Sequence, residues 1–257
     1  MEETILKTIG LGKSFLGFSA VTDVNLSVSR GSIHALIGPN GAGKTTCFNL
    51  LTKFLEPSQG QILFNGIDVT HERPAQIACR GVVRSFQISA VFPHLTVLEN
   101  VRIALQRELN TEFFFWKSGA SLNALNGRAL ELLHEVGLES FANELAANLA
   151  YGRKRALEIA TTLAMEPELM LLDEPTQGMG HEDVERVTDL IQRVAKGRTI
   201  LMVEHNMKVV SSIADRITVL QRGAILVLLQ LAKTPLNWCP SPDPNLPRCD
   251  QVIFLCY

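Results

Sequence analysis

Residues 38–46 read GPNGAGKTT, and few segments restrict a chain as strongly. From Gly38 to Thr45 the spacing fits G-x-x-x-x-G-K-[ST]. A triphosphate carries several negative charges. A loop of Gly38, Pro39, Asn40, Gly41, Ala42 and Gly43 lets backbone N–H groups crowd around it without Cβ clashes. Lys44 then brings a point charge to the β- and γ-phosphates. The Thr45 hydroxyl can hold Mg²⁺, and Thr46 closes the run. Residues 32–37 read as a strand entering the loop and residues 45–51 as a helix leaving it, which is the context the loop requires.

The chain has 257 residues, enough for one large domain or a core with a subdomain. Its apolar fraction of 46% supports a packed core. A formal net charge of −2 offers no basic footprint for nucleic acid. The opening Met1-Glu2-Glu3-Thr4 lacks a basic segment followed by an apolar one, so no secretion signal is expected. The longest apolar run, residues 224–232, is too short to span a bilayer, so any membrane role is expected to come through a partner. Cys47 and Cys79 stand apart, which fits a reduced compartment.

The first part of the chain reads as β-rich, with strands at 5–9 and 20–28. Residues 61–69 form a hairpin around Asn65-Gly66, and 81–86 are a further short apolar segment. From about Glu99 the pattern turns helical. Leu130, Leu133 and Val136 share one helical face, with Gly137 as C-cap. Residues 111–116 are an aromatic-rich insertion expected to pack within this region. A helix at 157–165 precedes an apolar strand at 169–172. Val184, Val187, Ile191 and Val194 mark an amphipathic helix. Residues 199–203 form another strand, and 217–220 with 224–227 a hairpin around Arg222-Gly223. Strands alternating with helices imply an α/β fold with a mainly parallel sheet, interrupted by a helical insertion.

Several further residues carry chemistry. An apolar strand ending in two carboxylates is costly unless they act at its tip. Asp173 is placed to bind Mg²⁺ and Glu174 to act as general base on the attacking water. A second strand ends in Glu204-His205, where a histidine could hydrogen-bond a γ-phosphate. Gln87, after the 82–86 segment, could reach Mg²⁺ and the water. Residues 149–155, LAYGRKR, precede a helix whose free N-terminus is an anion site. It lies far in sequence from the loop at 38–46, and two copies arranged head to tail could bring both to one phosphate.

This set, in this order, resembles the ATP-binding cassette family over residues 1 to about 227. Residues 38–46 correspond to its Walker A motif, Gln87 to its Q-loop, and 149–153 to its signature. Residues 169–174 correspond to Walker B and His205 to the switch histidine. The resemblance implies a P-loop NTPase (RecA-like) core over about 1–86 and 166–227. It also implies an N-terminal antiparallel β subdomain and an inserted α-helical subdomain over about 87–165. It further implies ATP and Mg²⁺ as cofactors and a dimer in which Ala150, Tyr151, Gly152 and Arg153 serve the partner's ATP in trans. Phe15 matches the aromatic that stacks on adenine. LAYG followed by RALEIA, with DEPTQGMG, is similar to the ATPases of branched-chain amino acid importers. Permease subunits and, indirectly, an extracytoplasmic solute-binding protein are then the expected partners, and the cytoplasmic face of the membrane the expected location. The segment 90–97, with Phe92-Pro93-His94, is a candidate surface for the permease.

Three departures stand out. Ala150 lacks the hydroxyl of the common signature, Arg153 replaces its Gln or Glu, and Gly180 stands where the family's D-loop has Asp or Asn. None removes Lys44, Asp173 or Glu174, so hydrolysis is expected to survive. The last thirty residues hold five of the eleven prolines, three of the five cysteines and no glutamate. They match nothing in the family, and residues 228–257 read as out-of-frame or foreign sequence. Two rivals remain: a cassette ATPase working on DNA or ribosomes, and a cassette that dimerises on ATP without turnover. No long coiled-coil insertion, paired cassette or basic patch supports the first. Glu174 and His205 argue against the second. A GTPase is disfavoured by the lack of an N-K-x-D motif.

Overall fold

A computed structural model describes residues 3–85, 91–106 and 124–231, in two compact units. Of these, 3–77 and 201–231 belong to the first unit and 78–85, 91–106 and 124–200 to the second. Among the described residues no helix is long and apolar enough to cross a membrane.

The first unit opens with an antiparallel sheet. β1 (Thr4–Phe15) pairs with β2 (Phe18–Val24), β3 (Ser27–Ser29) and β5 (Gln59–Phe64), and β6 (Ile67–Asp68) closes a hairpin onto β5. Asn65 adopts φ +51 and Gly66 φ +76, the paired positive values that a two-residue hairpin turn demands. The single strand expected over 20–28 is instead broken into β2 and β3. Asp23 takes φ +50, and Asn25 turns its amide back onto the Asp23 carbonyl at 3.0 Å. This local side-chain bond competes with the ladder, as Asx residues do.

The same unit carries β4 (Ile33–Ile37), α1 (Lys44–Leu51), α7 (Met207–Ile213), β10 (Arg216–Gln221) and β11 (Ala224–Gln230). β4 runs parallel to β10 and β11 returns antiparallel beside it. β11 continues to Gln230, three residues past the point where native sequence was expected to end at 227. Leu228, Leu229 and Gln230 pair with Thr218, Ile217 and Arg216. Every residue of β4 is buried, as a strand covered on both faces requires. α1 packs Phe48, Leu50 and Leu51 into the core.

In the second unit β7 (Val82–Ser85) runs parallel to β8 (Leu169–Asp173). α2 (Pro74–Cys79) leads the chain into this unit, and β9 (Thr199–Val203) leads it out. Among the described residues this unit also carries the α-helices α3 (Val97–Leu105), α4 (Asn126–Glu135), α5 (Tyr151–Leu163) and α6 (His181–Val194). α3 begins on a capping box between Thr96 and Glu99, two orphan donors satisfied reciprocally.

Two helical expectations need correction. On α4 the buried face is Ala129, Leu132 and Leu133, with Val136 just beyond, whereas Leu130 is exposed. Those four fall at i, i+3, i+4 and i+7, one stripe of a 3.6-residue helix. α5 starts at Tyr151, six residues before 157, so Gly152, Arg153 and Arg155 lie inside it. The aromatic insertion at 111–116 and the tail from 232 lie outside the described residues.

Candidate functional site

The first unit carries the loop at 38–46 between β4 and α1. Gly38 has φ +152, and a Cβ there would meet the Leu220 carbonyl oxygen at 2.1 Å. At Gly43, φ +100, it would meet the Ala20 carbonyl oxygen at 2.6 Å. Backbone cannot yield as a side-chain end can, so these two positions require glycine. Lys44 is buried, and its Nζ donates to the carbonyls of Gly38 at 2.7 Å and Pro39 at 3.0 Å. The ammonium is thereby held within the curl of the loop. Asn40, Gly41 and Thr45 are exposed beside it, while Ala42 is buried.

His205 follows β9 in the same unit and is exposed. Its backbone N–H donates to the buried Glu204 carboxylate at 3.1 Å. Asn206 caps α7 through the Lys208 N–H at 3.1 Å. Phe15 stands at the end of β1 opposite Phe18 and is 42% exposed, so it does not serve as core; the Lys13 ammonium lies 5.3 Å from its ring centre. An exposed ring is free to stack on a flat base.

The second unit carries the carboxylates. All five residues of β8 are buried, Asp173 included. One oxygen of Asp173, Oδ2, accepts from the buried guanidinium of Arg84 on β7. A carboxylate offers about four lone-pair sites, so acceptor capacity remains. Glu174 is half-buried and takes φ +46, a left-handed value uncommon outside glycine. It begins a turn in which Gln177 N–H donates to its carbonyl at 3.1 Å.

Ala150 is the N-cap of α5 and supplies no side-chain bond to the first-turn N–H groups. Ala150, Tyr151 and Arg153 are exposed. Gly152 is buried where a Cβ would approach Asp183 Oδ1 at 2.7 Å. The Arg153 guanidinium lies 4.1 Å above the Phe141 ring, and Tyr151 Oη donates to the Gln177 carbonyl at 3.3 Å. Gly180 caps α6 without any side-chain bond.

Thus Phe15, residues 38–46 and His205 belong to one unit, and 150–153 with Asp173 and Glu174 to the other. Gln87 lies outside the described residues. Phe92, Pro93 and His94 are exposed and do not form subdomain core. Their loop is pinned by buried Asn100, which accepts from Phe92 N–H at 2.7 Å and donates to the Phe92 and Thr96 carbonyls at 3.1 and 2.9 Å. Arg84, Asn100 and Arg155 are not marked by any motif, because no spacing rule singles out a cation whose carboxylate lies far along the chain, as for Arg84, or a side chain whose partners are backbone carbonyls, as for Asn100 and Arg155.

A strand, a glycine loop that tolerates no Cβ at two positions and a helix led by a buried lysine define a P-loop nucleotide-binding protein of mixed α/β architecture. The family model described as ABC transporter matches residues 21–177, and the chain belongs to that family. LivG of Escherichia coli K12, a high-affinity branched-chain amino acid transport ATP-binding protein, is 41% identical over 237 residues. That match covers 88% of this chain and 91% of LivG. A solved structure of the ADP conformation of MJ1267, an ATP-binding cassette of an ABC transporter, superposes with TM-score 0.78 at 28% identity. It covers 88% of this chain and 91% of that one. A dimeric post-hydrolysis structure of the cassette MJ0796, bound to ADP and Pi, gives TM-score 0.74 at 27% identity, covering 90% of this chain and 100% of the other.

Proposed function

We propose that this chain is the ATP-hydrolysing subunit of an importer for branched-chain amino acids or a related small polar solute. The observation that carries hydrolysis is the tip of β8. Asp173 and Glu174 close a strand that is otherwise apolar and wholly buried, and Glu174 holds a strained backbone there. The likeness to LivG supports the substrate class. The cradle of Gly38, Gly41, Gly43 and Lys44 suits the phosphates of ATP. The Thr45 hydroxyl and Asp173 carboxylate are hard oxygen donors of the kind Mg²⁺ takes, together with phosphate oxygens. Held by donors of this kind, Mg²⁺ would neutralise charge on the phosphates. Lys44 binds and orients them, and Glu174 takes the proton of the attacking water. Gln87 and His205 complete the set in this reading.

Two chains meet head to tail, so that residues 150–153 of one face the nucleotide on the other's 38–46 loop. Exposure of Asn40, Gly41 and Thr45, and of Ala150 and Arg153, supports that pairing. The nucleotide-binding core spans about 1–86 and 166–227 and a helical subdomain about 87–165. The exposed Phe92-Pro93-His94 loop meets the permease on the cytoplasmic face of the membrane, and a solute-binding protein outside delivers the cargo.

Steady-state ATP hydrolysis by the full-length chain tests the core of this reading. Glu174→Gln should lower kcat by at least about 100-fold while leaving nucleotide affinity intact, because only the base is lost. Lys44→Ala should instead abolish nucleotide binding. Wild-type turnover in Glu174→Gln would sink the assignment. Co-purification with a ribosome or DNA in place of permeases would overturn transport.

A further inference from the structure

Glu174 carries two backbone preferences against its observed conformation. A non-glycine residue rarely takes a positive φ, and the φ here is +46. The next residue, Pro175, pushes its predecessor toward extended backbone. Such a conformation persists only where the surroundings over-determine it.

One device that over-determines it is visible. Arg155, on the second turn of α5, is 6% exposed. One arm of its guanidinium donates to the carboxylate of Glu158, which is 5% exposed, and the other donates to the Asp173 carbonyl oxygen at 2.8 Å. That carbonyl belongs to the peptide linking Asp173 to Glu174, so its direction sets where the Glu174 backbone leaves. The planar guanidinium reaches two acceptors at fixed angles, which a flexible ammonium does not. Glu158 compensates the buried charge and fixes the fork from one turn further on. Asp173 is meanwhile held through its carboxylate by Arg84. The peptide is therefore gripped at both its side chain and its carbonyl.

We propose that Arg155, oriented by Glu158, is a positioning residue that locks the Asp173–Glu174 peptide and so aims the Glu174 carboxylate for hydrolysis. This rests on Glu174 being the base. Arg155 touches no reacting atom. Its effect belongs to kcat, since misplacing a base leaves phosphate binding at the 38–46 loop untouched.

The test is steady-state ATP hydrolysis by the full-length chain, with fluorescent ATP-analogue binding and thermal unfolding measured alongside. The variants are Arg155→Met/Glu158→Leu, Arg155→Lys and Glu174→Gln. The double variant removes both buried charges together, so the fold is not left with an orphan carboxylate. Its kcat per nucleotide-binding chain should fall about 10- to 100-fold. KM and analogue affinity should stay within about two-fold. Arg155→Lys should recover part of the rate, because one ammonium reaches the Asp173 carbonyl but not both acceptors. An unchanged kcat in the double variant, with turnover abolished in Glu174→Gln, overturns the role of Arg155 and leaves the site assignment standing. Undiminished turnover in Glu174→Gln removes the assignment and the inference with it. Should the double variant not fold, Arg155→Lys decides alone: lowered kcat at constant KM supports the role, and wild-type kcat refutes it.

Discussion

At the scale of single residues the protein places polar groups where burial gives them leverage. His34 is the second residue of β4, fully buried, with Nε2 2.8 Å from Thr218 Oγ1 on β10. Burial, and secondarily the charge of Arg216, pushes its pKa from about 6.5 down to about 4. The folded protein therefore keeps His34 neutral where the unfolded chain takes a proton. Stability from this group is complete above pH 6.5, falls as pH drops between 6.5 and 4, and levels off below. The shift corresponds to roughly 3 kcal/mol. Denaturant unfolding of the wild type should lose about that much more stability between pH 7 and pH 4 than His34→Gln does. Equal losses in the two proteins would show that His34 is not responsible.

At the scale of elements, a reciprocal cap fixes where α3 begins. Thr96 accepts from Glu99 N–H at 3.2 Å, and the Glu99 carboxylate accepts from Thr96 N–H at 2.8 Å. The Thr96 backbone N–H and then its hydroxyl hold the Glu99 pKa below the ordinary carboxylate range. Thr96→Ala should lower global stability by about 1 kcal/mol at pH 7. The gap from wild type should narrow as pH falls below the ordinary carboxylate range and Glu99 takes a proton. Urea unfolding at two pH values checks both statements.

The same scale shows what the chain's order of residues reveals. The all-buried strands β4, β8 and β9 were legible because short apolar runs bounded by glycine and carboxylate leave little else to form. The hairpin at Asn65-Gly66 was legible because its turn needs two positive φ values. Counting only large apolar residues hid the α4 stripe, since Ala129 completes it and Leu130 does not belong. The α5 start was hidden because residues 151–156, YGRKRA, carry no apolar stripe, although the missing Cβ of Gly152 lets the helix approach Asp183. Short helices such as α2 and α7, six and seven residues long, carry too little periodicity to be seen. Within the site, motif spacing exposed the phosphate cradle and the carboxylates. The grip of Arg84 and Arg155 on Asp173 spans 89 and 18 residues of sequence and targets partly a backbone atom, which no spacing rule records.

For the whole molecule the question is whether one chain's 150–153 segment completes another's nucleotide site. The N-terminus of α5 discriminates, because it can be changed without harm to the fold. Ala150 is the exposed N-cap and makes no side-chain bond there. Asp is a far better cap than Ala and sits well beside the positive end of a helix, so Ala150→Asp should raise stability by about 0.5 to 2 kcal/mol. The same carboxylate would face the γ-phosphate of a nucleotide bound by the partner, and like charges at close range repel. In a Glu174→Gln background, ATP with Mg²⁺ should convert the chain to a species of twice the mass by light scattering. Adding Ala150→Asp should keep it monomeric in ATP, with analogue affinity per chain unchanged and the unfolding midpoint raised. A stabilised variant that still dimerises on ATP would show that the N-terminus of α5 does not meet the partner's nucleotide. A variant that stays monomeric and also loses its own nucleotide binding would show that the segment acts in cis, not across the pair.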